Sequence, residues 1–386
     1  MQTKTKVWLG ILAALILGGF LVAQPPVWSR VSFHATQMYA NIKYALFPPE
    51  KSVFTPSEST PDFVAGSVHA TLTAMAPTAT ATLPAIQSTL QPSPTPTITS
   101  TPLPQTVRLN GVTPTPETWN NCGPATLSMA LSFYRVSVPQ ADIATVVKPN
   151  ARDKNVMPYE MVNYVNDHTE MRALSRIGGT LDTLKTLLAA GFPVIIEKGF
   201  EPANLNQGWM GHYNLVLGYD DARQVFTTQD SYLLINQKDW QKSQGFEIPY
   251  ADIEANWRAF DFVFIVIYPP EKQNDVLNAI GVLMDEGLAN RSAYERAVAE
   301  TISLGKVRDR FFAWFNVGSS SVALQDYAGA ANAYDAAYGL YPQIPEKQRP
   351  WRMIWYQTGP YYAYYYAARY ADVINLANTT LEAMSE

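Results

Sequence analysis

Trp119-Asn120-Asn121-Cys122-Gly123-Pro124-Ala125-Thr126-Leu127-Ser128-Met129-Ala130-Leu131 holds the only cysteine among the 386 residues. Pro124 sits where a first helical turn tolerates a missing N–H. Leu127, Ala130, Leu131 and Tyr134 then repeat at helical spacing and define a buried stripe. The stretch therefore predicts a helix that opens at Cys122, where unpaired amides and the helix dipole favour a thiolate. Position alone leaves two readings open, a nucleophile or a small buried hydrophobe.

A cysteine nucleophile needs a base and a group that orients the base. Gly211-His212-Tyr213-Asn214-Leu215-Val216-Leu217-Gly218-Tyr219 alternates and is rich in β-formers, so it predicts a strand with His212 at its start. Asp220 to Arg223 is turn material, and Gln224 to Thr228 is the returning strand. In a hairpin centred near Asp221, Asp230 or Ser231 stands opposite His212, within reach of side-chain contact. Cys122, His212 and Asp230 then fill the roles of nucleophile, base and orienter. The other histidine of this region, His168, lies in an Asn-Asp-His-Thr-Glu setting that reads as a polar turn.

Asn121-Cys122-Gly123-Pro124-Ala125, then Gly211-His212-Tyr213, then Gln229-Asp230-Ser231-Tyr232 resemble papain-like cysteine peptidases of the bacteriocin-processing, double-glycine leader type. More narrowly, they resemble that family's free-standing peptidase-like domains, over roughly residues 106–270. The resemblance implies an α+β papain-like fold, a Cys-His-Asp site and hydrolysis of peptide bonds. It implies Cys122 as nucleophile, His212 as general base and Asp230 as orienting acid. The family carries a glutamine five or six residues before the cysteine, and its amide donates to the oxyanion. Pro116 and Glu117 occupy those places here, and proline offers no donor. Glu117 and Asn121 are the candidate oxyanion-hole residues.

A length of 386 allows two or three domains, and 47% hydrophobic residues suffice for real cores. The net charge of −5 argues against a nucleic-acid surface. One cysteine and four histidines leave no disulfide framework and no Cys/His zinc site. No glycine loop for phosphate is present, and no cofactor or metal is expected.

Residues 1–30 contain Lys4 and Lys6 and then an uncharged apolar run from Val7 to Ala23. Such a run spans about 25 Å as a helix, marginal against a hydrocarbon core of roughly 30 Å. Leu21 before Ala23 makes a poor cleavage site, which favours an uncleaved single-pass anchor over a removed secretory peptide. Either way, the bulk of the chain is expected outside the cytoplasm. Residues 31–105 read as a juxtamembrane segment with mixed aromatics followed by a Thr/Pro/Ser-rich stalk that cannot bury a core.

Residues 106–270 read as the papain-like α+β domain. Helices are expected at the cysteine, at Met157–Tyr164 and, capped by Thr180, over Leu181–Ala190. Phe192 to Glu197 and Phe262 to Tyr268 are expected strands. Trp209 and Met210 precede His212 on a long loop and are candidate substrate contacts, with loop anchoring as the other reading.

Strand signals cease after Pro270. Trp314, Val317, Gly318, Ala330, Tyr334, Ala337 and Pro342 fall on tetratricopeptide spacing, and Trp355, Gly359 and Tyr362 begin it again less regularly. Residues 271–386 are therefore expected to be an all-α set of helix pairs that offers a surface to a protein partner or substrate. Three functions follow: a membrane-anchored extracytoplasmic cysteine peptidase, a non-catalytic papain-like binding module, or a scaffold.

Overall fold

A computed structural model of the protein describes residue 8 and residues 25–47, 54–57, 102–150, 153–202 and 208–383. The stalk lies outside the described residues for most of its length, as does the apolar run from Val7 to Ala23 apart from Trp8. Among the described residues no helix is long and apolar enough to cross a membrane.

The chain enters with helix α1 (Pro25–Leu46) and a short strand β1 (Thr106–Arg108). Three helices follow, α2 (Cys122–Phe133), α3 (Gln140–Val147) and α4 (Pro158–His168). Then come β2 (Arg172–Arg176), α5 (Leu181–Ala189), β3 (Val194–Phe200), β4 (Met210–Asp220) and β5 (Val225–Gln229). The short helix α6 (Ser231–Ile235), β6 (Phe246–Pro249), α7 (Tyr250–Trp257) and β7 (Phe264–Tyr268) complete the sheet domain.

The strands form one antiparallel sheet in the order β2-β7-β3-β4-β5-β6, with β1 added on β4. Its central strands are buried on both faces, and alternation divides their side chains between two cores. Ile195, Tyr213, Leu215, Ile265 and Ile267 pack with Leu127, Leu131, Met161 and Val165 of α2 and α4. Val194, Ile196, Val216, Phe264 and Val266 pack with Leu184, Leu188, Ile253 and Trp257 of α5 and α7.

Beyond β7 the described chain is helical: α8 (Gln273–Ile280), α9 (Glu286–Ser303), α10 (Val307–Ala323), α11 (Tyr327–Leu340), α12 (Met353–Tyr356), α13 (Gly359–Tyr366) and α14 (Tyr370–Ala383). The first expected repeat is the α10–α11 pair. Gly318 lets Tyr334 approach so closely that a Cβ there would stand 2.6 Å from its ring. The second pair, α13–α14, is shorter, in line with its irregular spacing.

This helical region does not hang from a linker at residue 271. Val276, Ile280 and Leu283 belong to the core on the α5 side of the sheet. Trp209, Phe260 and Val263 of the sheet domain share a core with Phe311, Phe315, Tyr334 and Tyr364, into which Phe54 also inserts. Asn316 Nδ2 donates to the Arg258 carbonyl at 2.7 Å, and the Ser320 hydroxyl donates to buried Asp261 at 2.6 Å.

Candidate active site

Cys122 opens α2 as the sequence predicts, with Asn121 at the cap position and no acidic residue in the first turn. Gly123 lets this end of the helix seat against the sheet, since a Cβ there would stand 3.2 Å from Val156 and 3.5 Å from the Tyr213 ring. The Thr126 hydroxyl also donates to the Tyr213 carbonyl at 3.3 Å. The helix that opens at Cys122 is thereby fixed to the strand that carries His212.

His212 lies on β4 paired with Lys198 of β3. Gly211 precedes it because there is no room for a side chain: a Cβ would stand 2.7 Å from Phe260 and 3.0 Å from Tyr356. His212 Nε2 meets Asp230 Oδ1 at 2.9 Å, and Cys122 lies close enough to favour the charged ring. With Nε2 on Asp230, Nδ1 is the nitrogen left for the sulfur. The ring is 3% exposed and stacks on Phe200 at 4.8 Å. Burial disfavours its charge, but the Asp230 carboxylate and the Cys122 contact prevail and hold the imidazolium up to about 10.

Asp230, 1% exposed, ends the returning strand and caps α6, accepting from the Tyr232 and Leu233 amides. Asn214 Nδ2 donates to its other oxygen at 3.0 Å. Burial would raise this carboxyl, but His212, Lys198 and the amide donors hold it well below the usual carboxylate range. The register differs from the sequence reading. Asp220 pairs with Val225 and Leu215 with Gln229, across a bulge between Val216 and Gly218. The four-residue turn centres the hairpin later than Asp221, so Asp230 falls level with Asn214 and reaches His212 diagonally.

Glu117 is 8% exposed, accepts from the Ser231 hydroxyl at 2.6 Å, and donates its backbone N–H to the Ser231 carbonyl. It thus belongs to the same buried cluster as His212 and Asp230. Burial pushes its carboxyl up to about 7, against the pull of His212 and Ser231. Asn121 is placed differently from its expected role. Its Nδ2 donates to Thr118 at 3.0 Å and to Gln140 at 3.3 Å, so its side chain braces the loop before the cysteine.

Trp209 is a correction to the substrate-contact expectation. It is 2% exposed, stacked on Phe260 and packed with Phe312 and Tyr356, so the loop-anchoring reading holds. Met210, half-buried, pairs with Phe200 at the strand end beside His212. His168 is likewise the last residue of α4, stacked on Tyr164, rather than part of a turn.

Sequence reasoning missed three residues. Gln140 ties the cysteine loop together, donating to the Pro116 carbonyl and accepting from the Thr118 amide. Asn214 supports Asp230. Lys198 is buried opposite His212, where burial lowers its ammonium while Asp230 and Cys122 favour its charge. A lysine inside the run Val194-Ile195-Ile196-Glu197-Lys198 was the available signal, since a buried strand rarely carries a charge without a partner. Among the described residues no group of three or more His, Cys, Asp or Glu side chains could hold a metal ion.

Asp230→Ala is expected to destabilise the fold by about 3–5 kcal/mol, because it leaves a buried imidazole and amide unpaired and removes a helix cap. Asp230→Asn keeps the cap geometry and should lose less. Urea denaturation of the two variants checks this, and equal midpoints would contradict it.

No curated protein matches the sequence. Among solved structures, a chain from Bacillus anthracis described as a C39-like peptidase is similar at 18% identity, covering 42% of this chain and 96% of its own, with a TM-score of 0.33. Xylellain, a cysteine protease from Xylella fastidiosa, is similar at 17% identity, covering 43% and 87%, with a TM-score of 0.33. The peptidase domain of the Streptococcus transporter ComA is similar at 16% identity, covering 41% and 98%, with a TM-score of 0.30. Residues 101–264, which contain Glu117, Cys122, His212 and Asp230, match the model of the Peptidase_C39 like family.

Proposed function

We propose that the chain is a membrane-anchored, extracytoplasmic cysteine peptidase that hydrolyses peptide bonds. The observation that carries this reading is the buried His212–Asp230 pair beside Cys122, which opens a helix. The Cys122 sulfur attacks the scissile carbonyl carbon, and the carbonyl electrons move onto oxygen. Amides at the start of α2, unused by the helix ladder, donate to that oxyanion. His212 gives its proton to the leaving amine as the C–N bond breaks, leaving a thioester. Water then attacks the thioester, His212 takes its proton, and the carboxylic acid leaves as the sulfur is released. Asp230 keeps the ring oriented through both steps.

The helical region is read as the recruiting part, with exposed Tyr362, Tyr365, Tyr366 and Tyr370 as the surface for a protein partner. The anchor is the apolar run from Val7 to Ala23. Glu117 in the place of a donor glutamine favours a second reading, a binding module that retains the pocket without turnover.

The test is cleavage of an unstructured protein such as reduced casein by the full chain in detergent, read by mass spectrometry. Wild type should generate new peptide ends and Cys122→Ser should generate none. Iodoacetamide should also label Cys122 faster at pH 6 than it labels free cysteine. Fast labelling and peptide binding without cleavage would select the binding module. Cleavage that survives Cys122→Ser would remove the site from the mechanism.

A further inference from the structure

Helix α1 has two apolar faces. At 100° per residue, Phe33, Gln37, Ala40 and Tyr44 share one narrow arc, which faces the protein. Phe33 is 4% exposed and packs against Trp119 and Tyr232. Gln37 donates to the Tyr232 hydroxyl at 3.0 Å, and Arg30 donates to the Gln237 carbonyl at 2.7 Å. Tyr44 stands edge-on to Trp351 and accepts from Arg352. The inner face thus clasps the sheet domain beside the active site and the helical region together.

The opposite arc, about 120° wide, carries Val27, Trp28, Val31, Met38, Tyr39 and Ile42. Met38 is 61% exposed, Ile42 52% and Trp28 56%, and Phe47 just beyond the helix is exposed as well. No charged residue interrupts this face, although α1 is 22 residues long. The apolar run from Val7 to Ala23 leads directly into it, and the first acidic residue of the chain is Glu50. Lys4, Lys6, Arg30 and Lys43 precede that acid, so the segment is cationic in a chain whose net charge is −5.

We infer that the outer face of α1 lies in the interface of an anionic lipid bilayer. An apolar arc with Trp and Tyr on it, basic residues at its sides and no acid is the composition such helices need. The inference rests on the anchoring proposed above and extends it from a tether to an orientation. Tyr232, which touches both Phe33 and His212, then stands one helix diameter, about 10 Å, from the lipid. The site works on peptide segments close to the bilayer surface, and the stalk connects two points of a domain already lying on it.

The test uses the full chain in vesicles of phosphatidylcholine and phosphatidylglycerol. Met38→Cys and Ile42→Cys are each made with Cys122→Ser and labelled with bimane, and Ser303→Cys on α9 is the solvent control. Brominated phospholipid should quench the labels at 38 and 42 about fivefold more than the label at 303, and aqueous iodide should do the reverse. A chain that floats with the vesicles but shows all three labels equally open to iodide overturns docking and leaves the anchor standing. A chain that does not float overturns both. Oxidative cross-linking of two chains of the Met38→Cys variant, in place of lipid quenching, overturns the lipid assignment in favour of a second copy.

Discussion

His212→Ala is expected to lower kcat/KM for peptide hydrolysis by about four orders of magnitude or more. The leaving amine would depart without a proton, and the sulfur would lose the cation at its side. Both effects come from one ring, so their losses do not add as independent terms. Labelling by iodoacetamide at pH 6 should slow as well, because it depends on the sulfur and its cation but not on amine protonation. A large loss of hydrolysis with unchanged labelling would confine His212 to the acid step. A loss below tenfold in both would remove it from the site.

The same substitution has a pH signature in stability. The folded His212 binds its proton up to about pH 10, against an ordinary value of 6.5. Its contribution is therefore fully present below pH 6.5 and is lost as pH rises through 10. The stability gap between wild type and His212→Ala should be widest at acidic pH and narrow toward pH 10. Denaturation midpoints at pH 6 and pH 9.5 measure it.

What could be read from the sequence was whatever local chemistry declares. Cys122-Gly123-Pro124 announces a helix start, and Gly211-His212-Tyr213 opens an alternating strand. Asp230 follows a return strand, and Thr180 caps its helix through the Thr183 amide as expected. Residues whose meaning depends on distant partners were not readable. Gln140 acts on a loop more than twenty residues away, and Lys198 acquires its role only when β3 pairs with β4. β2 was missed because Arg172-Ala173-Leu174-Ser175-Arg176 lies at the sheet edge, where polar residues are tolerated. Trp209 misled because its position beside His212 in sequence is not its place in space. The inner face of α1 was hidden for a related reason. Phe33 and Tyr44 look like any membrane-proximal aromatics until Trp119, Tyr232 and Arg352 are brought up against them.

Glu117→Gln is expected to separate from wild type with pH, and the direction follows from burial. Desolvation raises the Glu117 carboxyl from 4.5 to about 7. Below pH 7 the neutral acid accepts from Ser231 on Oε2 and carries its proton on Oε1, so it can donate to an oxyanion. Above pH 7 it can only accept, and its charge opposes the charge that forms in the transition state. With a pKa of about 7, roughly one molecule in thirty keeps the acid at pH 8.5, so glutamine should be about thirtyfold faster there. At pH 5.5 nearly every molecule keeps it, and the two enzymes should be about equal. A thirtyfold gain stays below the ~2.7–4 kcal/mol that one oxyanion donor is worth. Stability must move the same way if burial is the cause. An acid whose pKa is raised on folding costs nothing below its unfolded value, and its full cost appears above the folded one. The glutamine variant should therefore be more stable at pH 8.5, by on the order of 3 kcal/mol, and unchanged near pH 4. A pH-dependent gain in stability with a flat rate ratio would place Glu117 in the core beside Ser231 but away from the oxyanion. The amides of α2 would then be left to stabilise that charge alone.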